Sequence, residues 1–256
     1  MRPLRLLVLS ALLFPPFAAR PEGQRTLTVA VAANLKPAFE ELAARFQAKN
    51  PGLEVKATYG ASGNFFAQLS NGAPFDLFLS ADREYPAKVI EAKLGAAADE
   101  KVYAFGKLVA WLPPGSTLDL EKKGLSALAD PAVRKIAIAN PAVAPFGRAT
   151  EAAIKAAGVW EAAKDKLVLG TSVSQAAQFA TTGAADVAFL PLSLTFGKEL
   201  ASGRVVPVPE ALYPRIEQSG IVLAGAKEPV LARAFLAFIT GEKGRAILAK
   251  YGYGLP

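Results

Sequence analysis

Four turns in this 256-residue chain carry small polar residues where a ligand could be held. They are Ala32-Ala33-Asn34-Leu35, Gly60-Ala61-Ser62-Gly63, the stretch from Asn140 to Gly147 that includes Phe146, and Gly170-Thr171-Ser172-Val173-Ser174. None contains Lys, Arg, Asp or Glu. Their donors are backbone amides and the hydroxyls of Ser62, Thr171, Ser172 and Ser174. That set suits a fully ionised oxyanion, which only accepts hydrogen bonds. A phosphate that keeps a proton needs a carboxylate acceptor, and no turn supplies one. Hydrogen bonds to charged groups contribute about 1.5–3 kcal/mol each, so about six or seven could offset the lost hydration of a dianion. Each turn taken alone also fits a simple helix cap. Four alike are what point to a cleft.

Other chemistry is narrowed by composition. The chain has no His and no Cys, and its one Met is the initiator. A Ser-His-Asp triad, a thiolate nucleophile and the usual zinc or copper sites are therefore excluded, as are disulfides. Asp76 and Asp82 flank an apolar run and could form an acid/base pair; a turn residue and a helix cap explain them more simply. Arg148 follows the third turn, where it could reach a ligand or start a solvated helix. Tyr251 and Tyr253 could suggest an iron-binding pair, against the plainer reading of a C-terminal turn packed on the first lobe. Trp111 and Trp160 read as core or interlobe packing.

The elements that position the turns follow from periodicity. Residues 26–32 are a β-branched strand. Leu35, Ala38, Phe39, Leu42, Ala43 and Phe46 share one helix face. Further strands are expected over residues 54–59 and 76–80, with helices over 64–71 and 85–92. A longer apolar strand covers 105–112. The pattern restarts with strands at 136–139, 167–169 and 187–190 and helices over 150–157 and 174–181. Strand-like residues 205–208 and 221–223 follow, then helices over 229–240 and 242–250. Alternating strands and helices predict an α/β fold of mostly parallel sheets flanked by helices. Two such halves and a return near residue 205 predict two lobes joined by two crossing strands. The first lobe is 25–107 plus 209–256, and the inserted second lobe is 108–208. In open parallel sheets, ligands bind at the carboxyl ends of strands, which is where the four turns fall.

Residues 1–19 have a basic start, a short apolar run and a small-residue end, the layout of a secretory signal peptide. The apolar run is about half the roughly 20 residues of a membrane span, and no Cys follows it for lipid attachment. The formal charge is +7; without Arg2 and Arg5, 27 basic residues face 22 acidic ones, leaving +5. Basic residues are scattered, so no nucleic-acid surface is expected. Export to the periplasm as a monomer is the expectation.

The segments Val29 to Leu35, Tyr59 to Gly63, Gly72 to Asp82, Asn140 to Arg148, Ser174 to Phe179, Ala185 to Ser193 and Tyr251 to Tyr253 together resemble the periplasmic molybdate-binding proteins of molybdate ABC transporters. The resemblance implies the two-lobed type II periplasmic-binding-protein fold. It implies molybdate or tungstate held between the lobes by hydroxyls and amides, with the metal present only as the oxyanion. Carried over by motif, the ligand contacts are Asn34 with the Ala33 backbone, Ser62, and the Phe146 and Val173 amides. Gly63, Ser174 and Arg148 are additional candidates. Some members have Ser in place of Asn34, Tyr in place of Phe146, or a Tyr hydroxyl where Leu190 stands. No cofactor and no catalysis are implied, and the implied partner is a membrane ABC permease. The alternatives are a receptor for sulfate, phosphate or another small anion, and an enzyme on the same two-lobed fold.

Overall fold

Arg25–Ala32 forms strand β1, an inner strand of a five-stranded sheet in the computed structural model, which describes residues 25–256. The export segment expected over residues 1–19 lies outside the described residues. β1 is buried from Val29 onward because helices cover both faces of the sheet, and such a strand reads as a nearly continuous apolar run. It pairs in parallel with β2 (Leu53–Gly60) and β3 (Leu77–Leu79). Beyond β3 lie β10 (Ile216–Leu223), which runs antiparallel, and then β4 (Gly95–Gly106). The order is β2-β1-β3-β10-β4, with four strands running one way and β10 the other.

The second sheet repeats this plan. β6 (Ile136–Ala139) lies between β7 (Leu167–Gly170) and β8 (Val187–Pro191), all parallel. β5 (Leu108–Leu112) is the reversed strand, placed between β8 and β9 (Arg204–Pro207). In each sheet the reversed strand is the one that has just arrived from the other sheet. The chain leaves the first sheet at Lys107 and returns over residues 208–215. The two crossings are tied together: Val208 N donates to Leu108 O (3.1 Å), and Leu108 N donates to the Tyr213 hydroxyl (3.1 Å).

Three strands differ from the sequence pattern for identifiable reasons. The expected single strand over 105–112 is divided at Lys107, because its two ends pair in different sheets. β4 starts at Gly95, well before the apolar residues, and is an edge strand whose Asp99, Glu100 and Lys101 hid it. β10 starts at Ile216 and carries Gln218 and Ser219, both fully buried, which interrupt the apolar run.

The helices are α1 (Lys36–Gln47), α2 (Ser62–Ser70), α3 (Glu84–Glu91), α4 (Leu120–Lys123), α5 (Pro145–Ala156), α6 (Trp160–Ala163), α7 (Val173–Thr181), α8 (Pro229–Thr240) and α9 (Glu242–Lys250). α1 buries Ala38, Phe39, Leu42, Ala43 and Phe46, the face its spacing marks. Phe39 and Phe46 meet Phe235 of α8, with ring centroids 5.7 and 4.8 Å apart. No helix among the described residues is long and apolar enough to cross a membrane.

Asp76 joins β1 to the start of α8. One carboxylate oxygen accepts from Thr28 N and Thr28 Oγ1 (both 2.7 Å), and the other from Lys227 N (2.7 Å) and Glu228 N (3.0 Å). Burial pushes its pKa up, but these hydrogen bonds outweigh burial and hold it below the ordinary carboxylate range. A depressed pKa contributes stability that is present above the unfolded-state value and lost as pH falls through the folded value. Asp76→Asn should therefore cost about 1–3 kcal/mol at neutral pH and flatten the acid limb of the stability curve. Urea denaturation at a series of pH values from about 3 to about 7 measures both effects; unchanged stability with an unchanged acid limb would refute this role.

Candidate functional site

The four turns come together in one cavity between the two sheets. Ala33 and Asn34 reach it from the end of β1, and Ala61 and Ser62 from the end of β2. Ala144 to Phe146 at the start of α5, and Val173 at the start of α7, face them from the other sheet. Ala81, after β3, closes one wall. The cavity measures about 10 Å³, close to what one water requires. None of the residues lining it is ionisable.

Three helices begin at this point. Ser62 and Val173 are the first residues of α2 and α7, and Phe146 is the second of α5. First-turn amides have no intrahelical acceptor, and the positive end of each helix dipole lies with them. Pro145 suits its position as the first residue of α5, because it lacks the N–H that would be unpaired there. Ser172 keeps the start of α7 regular by accepting from Gln175 N. The Ser62 side chain is fully buried and its Oγ accepts from Ala81 N (3.0 Å), so its own hydrogen remains free to donate. Gly147 fixes the seat of α5: a Cβ there would stand 2.1 Å from Ala139 O.

Asn34 is nearly fully buried, and its Nδ2 donates to Gln218 Oε1 (2.7 Å) and to the Tyr253 hydroxyl (3.0 Å). Its Oδ1 is buried without a partner. Its backbone oxygen accepts from Ser193 Oγ (2.8 Å) and from the Tyr253 hydroxyl (2.9 Å). Phe146 is buried, and its Cζ lies beside Gly106 and Gln218. Leu190 lies fully buried within β8.

The additional candidates lie elsewhere. The Gly63 amide donates to Val143 O (2.9 Å), linking the two lobes. Ser174 lines an outer groove with Lys36 and Phe196. Arg148 forms ion pairs with Asp82 and Glu84, and its guanidinium lies over the Tyr85 ring. Burial raises the Asp82 pKa, against the pull of the Tyr85 amide and of Arg148. Asp82 accepts from Tyr85 N (3.2 Å) in the first turn of α3, and Asp76 is occupied with backbone amides, so the two carboxylates act as structural holders. Tyr251 and Tyr253 do not form a pair: one hydroxyl meets Glu41 and the other Asn34.

Sequence reasoning missed Gln218, Tyr103 and Ser193 as supports of the first turn, and placed Tyr253 in a packed C-terminal turn without its contact to Asn34. Their only signal was polarity inside otherwise apolar elements, Gln218-Ser219 within β10 being the clearest case. Among the described residues no cluster of three or more carboxylates could hold a metal ion.

Residues 27–254 match the family described as bacterial extracellular solute-binding protein. The molybdate-binding protein ModA of Rhodobacter capsulatus is 38% identical over 235 residues, covering 92% of this chain and 90% of that protein. ModA of Azotobacter vinelandii is 37% identical over 229 residues, 89% of each chain. The solved structure of the Azotobacter vinelandii periplasmic molybdate-binding protein superimposes with a TM-score of 0.82 at 33% identity, covering 90% of this chain and 99% of that one. A sulfate-binding protein of Mycobacterium tuberculosis, 19% identical with a TM-score of 0.72, shares the fold.

The seat of α5 can be checked directly. Gly147→Ala should force α5 off the end of β6 and cost about 1–3 kcal/mol, read as a lower urea midpoint. A midpoint equal to that of the parent chain would mean that the cavity wall tolerates movement and that the Phe146 amide is not rigidly held.

Proposed function

The chain belongs to the bacterial extracellular solute-binding protein family, and from that footing we propose that it is the substrate-binding protein of a molybdate ABC transporter. It captures molybdate, or tungstate, in the cavity between the lobes and delivers it to a membrane permease. It is a carrier and not an enzyme, a reading supported by the names and coverage of its relatives. The observation that carries the ligand class is the cavity itself: three helix starts and a buried serine hydroxyl meet there, with no ionisable group among them.

The ligand shell comprises Ala33, Asn34, Ser62, Phe146 and Val173. Ser62 donates its free hydroxyl hydrogen, and Phe146 and Val173 donate backbone amides. A dianion fits because each contact is a donor and no carboxylate repels it. Neutrality also protects the ligand from too tight a hold, since no ion pair must break for release.

The lobes, 25–107 with 209–256 and 108–208, move about the crossings at Lys107 and at residues 208–215. Arg148 with Asp82, Gly63 with Val143, and Ser193 with Asn34 span the two lobes and exist only when they are together. An anion that contacts both lobes favours that closed state, because only there can all of its contacts form. The protein works as a monomer in the periplasm, exported by the segment over residues 1–19.

Isothermal titration with molybdate, tungstate, sulfate and phosphate tests the assignment. Molybdate and tungstate should bind, with phosphate weaker by about 1–3 kcal/mol because its proton meets no acceptor. Sulfate, with shorter bonds to its oxygens, should bind at least about tenfold more weakly than molybdate. Saturation by sulfate or phosphate at concentrations where molybdate is silent would overturn the molybdate reading. Within the shell, Ser62→Ala should weaken molybdate about tenfold to a hundredfold by removing one charge-assisted bond; an unchanged Kd would remove Ser62 from the shell.

A further inference from the structure

Gln218 lies behind the first turn, and nothing in the proposed ligand shell uses it. We propose that it is a positioning residue: it sets which end of the Asn34 carboxamide faces the cavity, and the anion selects the arrangement in which Gln218 donates and Asn34 presents its NH2 group. The inference rests on the oxyanion reading of the cavity.

The two amides form a closed pair. Asn34 is 1% and Gln218 0% exposed, and they meet at 2.7 Å, with Asn34 Nδ2 donating to Gln218 Oε1. In that polarity Asn34 Oδ1 and Gln218 Nε2 are both buried without partners. Each orphan is unfavourable, and a carbonyl oxygen offered to an anion is repulsive. The two ends of a carboxamide are nearly identical in shape, so reversing both amides costs no packing. The 2.7 Å contact then survives with Gln218 Nε2 donating to Asn34 Oδ1. Reversing only one would set two donors or two acceptors face to face. The pair therefore has two coupled polarities, and only one offers the cavity a donor.

The neighbours accept the reversed state. The Tyr103 hydroxyl gives its one hydrogen to Ser80 O (2.7 Å), which leaves its oxygen, 3.1 Å from the Gln218 amide, free to accept from Nε2. The Tyr253 hydroxyl, 3.0 Å from the Asn34 amide, can donate to Oδ1, while Ser193 Oγ continues to serve the Asn34 backbone oxygen. Burial pushes both tyrosines' pKa values up, so each keeps its single hydrogen. The other end of the Gln218 amide lies with Phe146 Cζ at the place where a Gly106 Cβ would stand, 2.7 and 2.6 Å from that point. A ring edge carries partial positive charge and favours an oxygen over an N–H there. Every contact around the pair thus favours or tolerates the arrangement that an anion requires.

Two variants of the full mature chain, titrated with molybdate, test the proposal. Gln218→Met keeps the length but loses the donor and should weaken molybdate about tenfold. Gln218→Glu keeps the shape, but its ionised form cannot donate. Its affinity should fall further at high pH and recover by about tenfold per unit as pH drops and the carboxyl regains a hydrogen. The titratable groups around position 218 are Tyr103 and Tyr253, with Asp82 acting on Tyr103; they are common to both proteins, so the Glu profile is read against that of the parent chain. A purely structural role for Gln218 would lower the melting temperature and leave the two pH profiles parallel. Parallel profiles, or an unchanged Kd in Gln218→Met, would overturn the proposal. Should either variant fail to fold, the side-chain NH2 resonances of the parent chain decide: the Asn34 and Gln218 pairs must both shift when molybdate is added, and static resonances would refute the reversal. If the parent chain ignores molybdate, the molybdate reading fails first, and the same variants are read with whichever anion binds; binding of none would overturn both.

Discussion

A doubly charged oxyanion can be held without a counter-charge only if donors already fixed in place replace its lost water. A mobile lysine could adjust to its target, but a backbone amide cannot, so the burden of accuracy falls on the fold. Here α2, α5 and α7 all start at one point, and each is seated by something rigid. Gly147 brings α5 within contact of the end of β6. Ser172 caps α7, and the Ala81 amide pins the Ser62 hydroxyl so that its hydrogen is free. The identical strand orders of the two sheets follow from the same demand, since each sheet must aim the ends of its parallel strands at a shared target.

What holds the lobes together is sparse by comparison. The two ion pairs of Arg148, a few hydrogen bonds and the same arginine over a tyrosine ring span the cleft on one side, and Ser193 on Asn34 spans it on the other. The largest aromatic side chains pack within the lobes, Phe39, Phe46 and Phe235 in the first and Trp111 and Phe189 in the second, while first-lobe residues such as Ala32, Ala33, Ala61 and Ala81 join the core of the second. A carrier needs this division. Rigid halves preserve the donor geometry, and a weakly held seam lets a single ligand tip the balance between open and closed.

Much of this was legible in the chain before any coordinates. The α1 stripe, both C-terminal helices and all four turns follow from spacing and from small polar residues after apolar runs. Absent His and Cys turned attention to amides and hydroxyls. The two misplaced strand starts share a cause, which is that polar residues inside sheets carry no periodic signature. β4 was hidden by its charged edge residues, and most of β10 by Gln218 and Ser219. Arg148 was misleading in the opposite direction: its neighbour in sequence was an anion turn, whereas its partners in space, Asp82 and Glu84, belong to the other lobe. Local pattern finds where a ligand can sit, but the groups that orient its contacts come from distant segments.

The reversed strands have a consequence for how the protein is made. β5 to β9 are contiguous, so the second sheet has all its strands as soon as Pro207 is available. The first sheet does not. β3 ends at Leu79, and its neighbour β10 starts only at Ile216, so β4 has no place to pair until nearly the whole chain exists. Closing so long a loop is slow compared with local pairing. The strand that completes the first sheet is thus the last to arrive, and the same strand brings Gln218 to the back of the first turn.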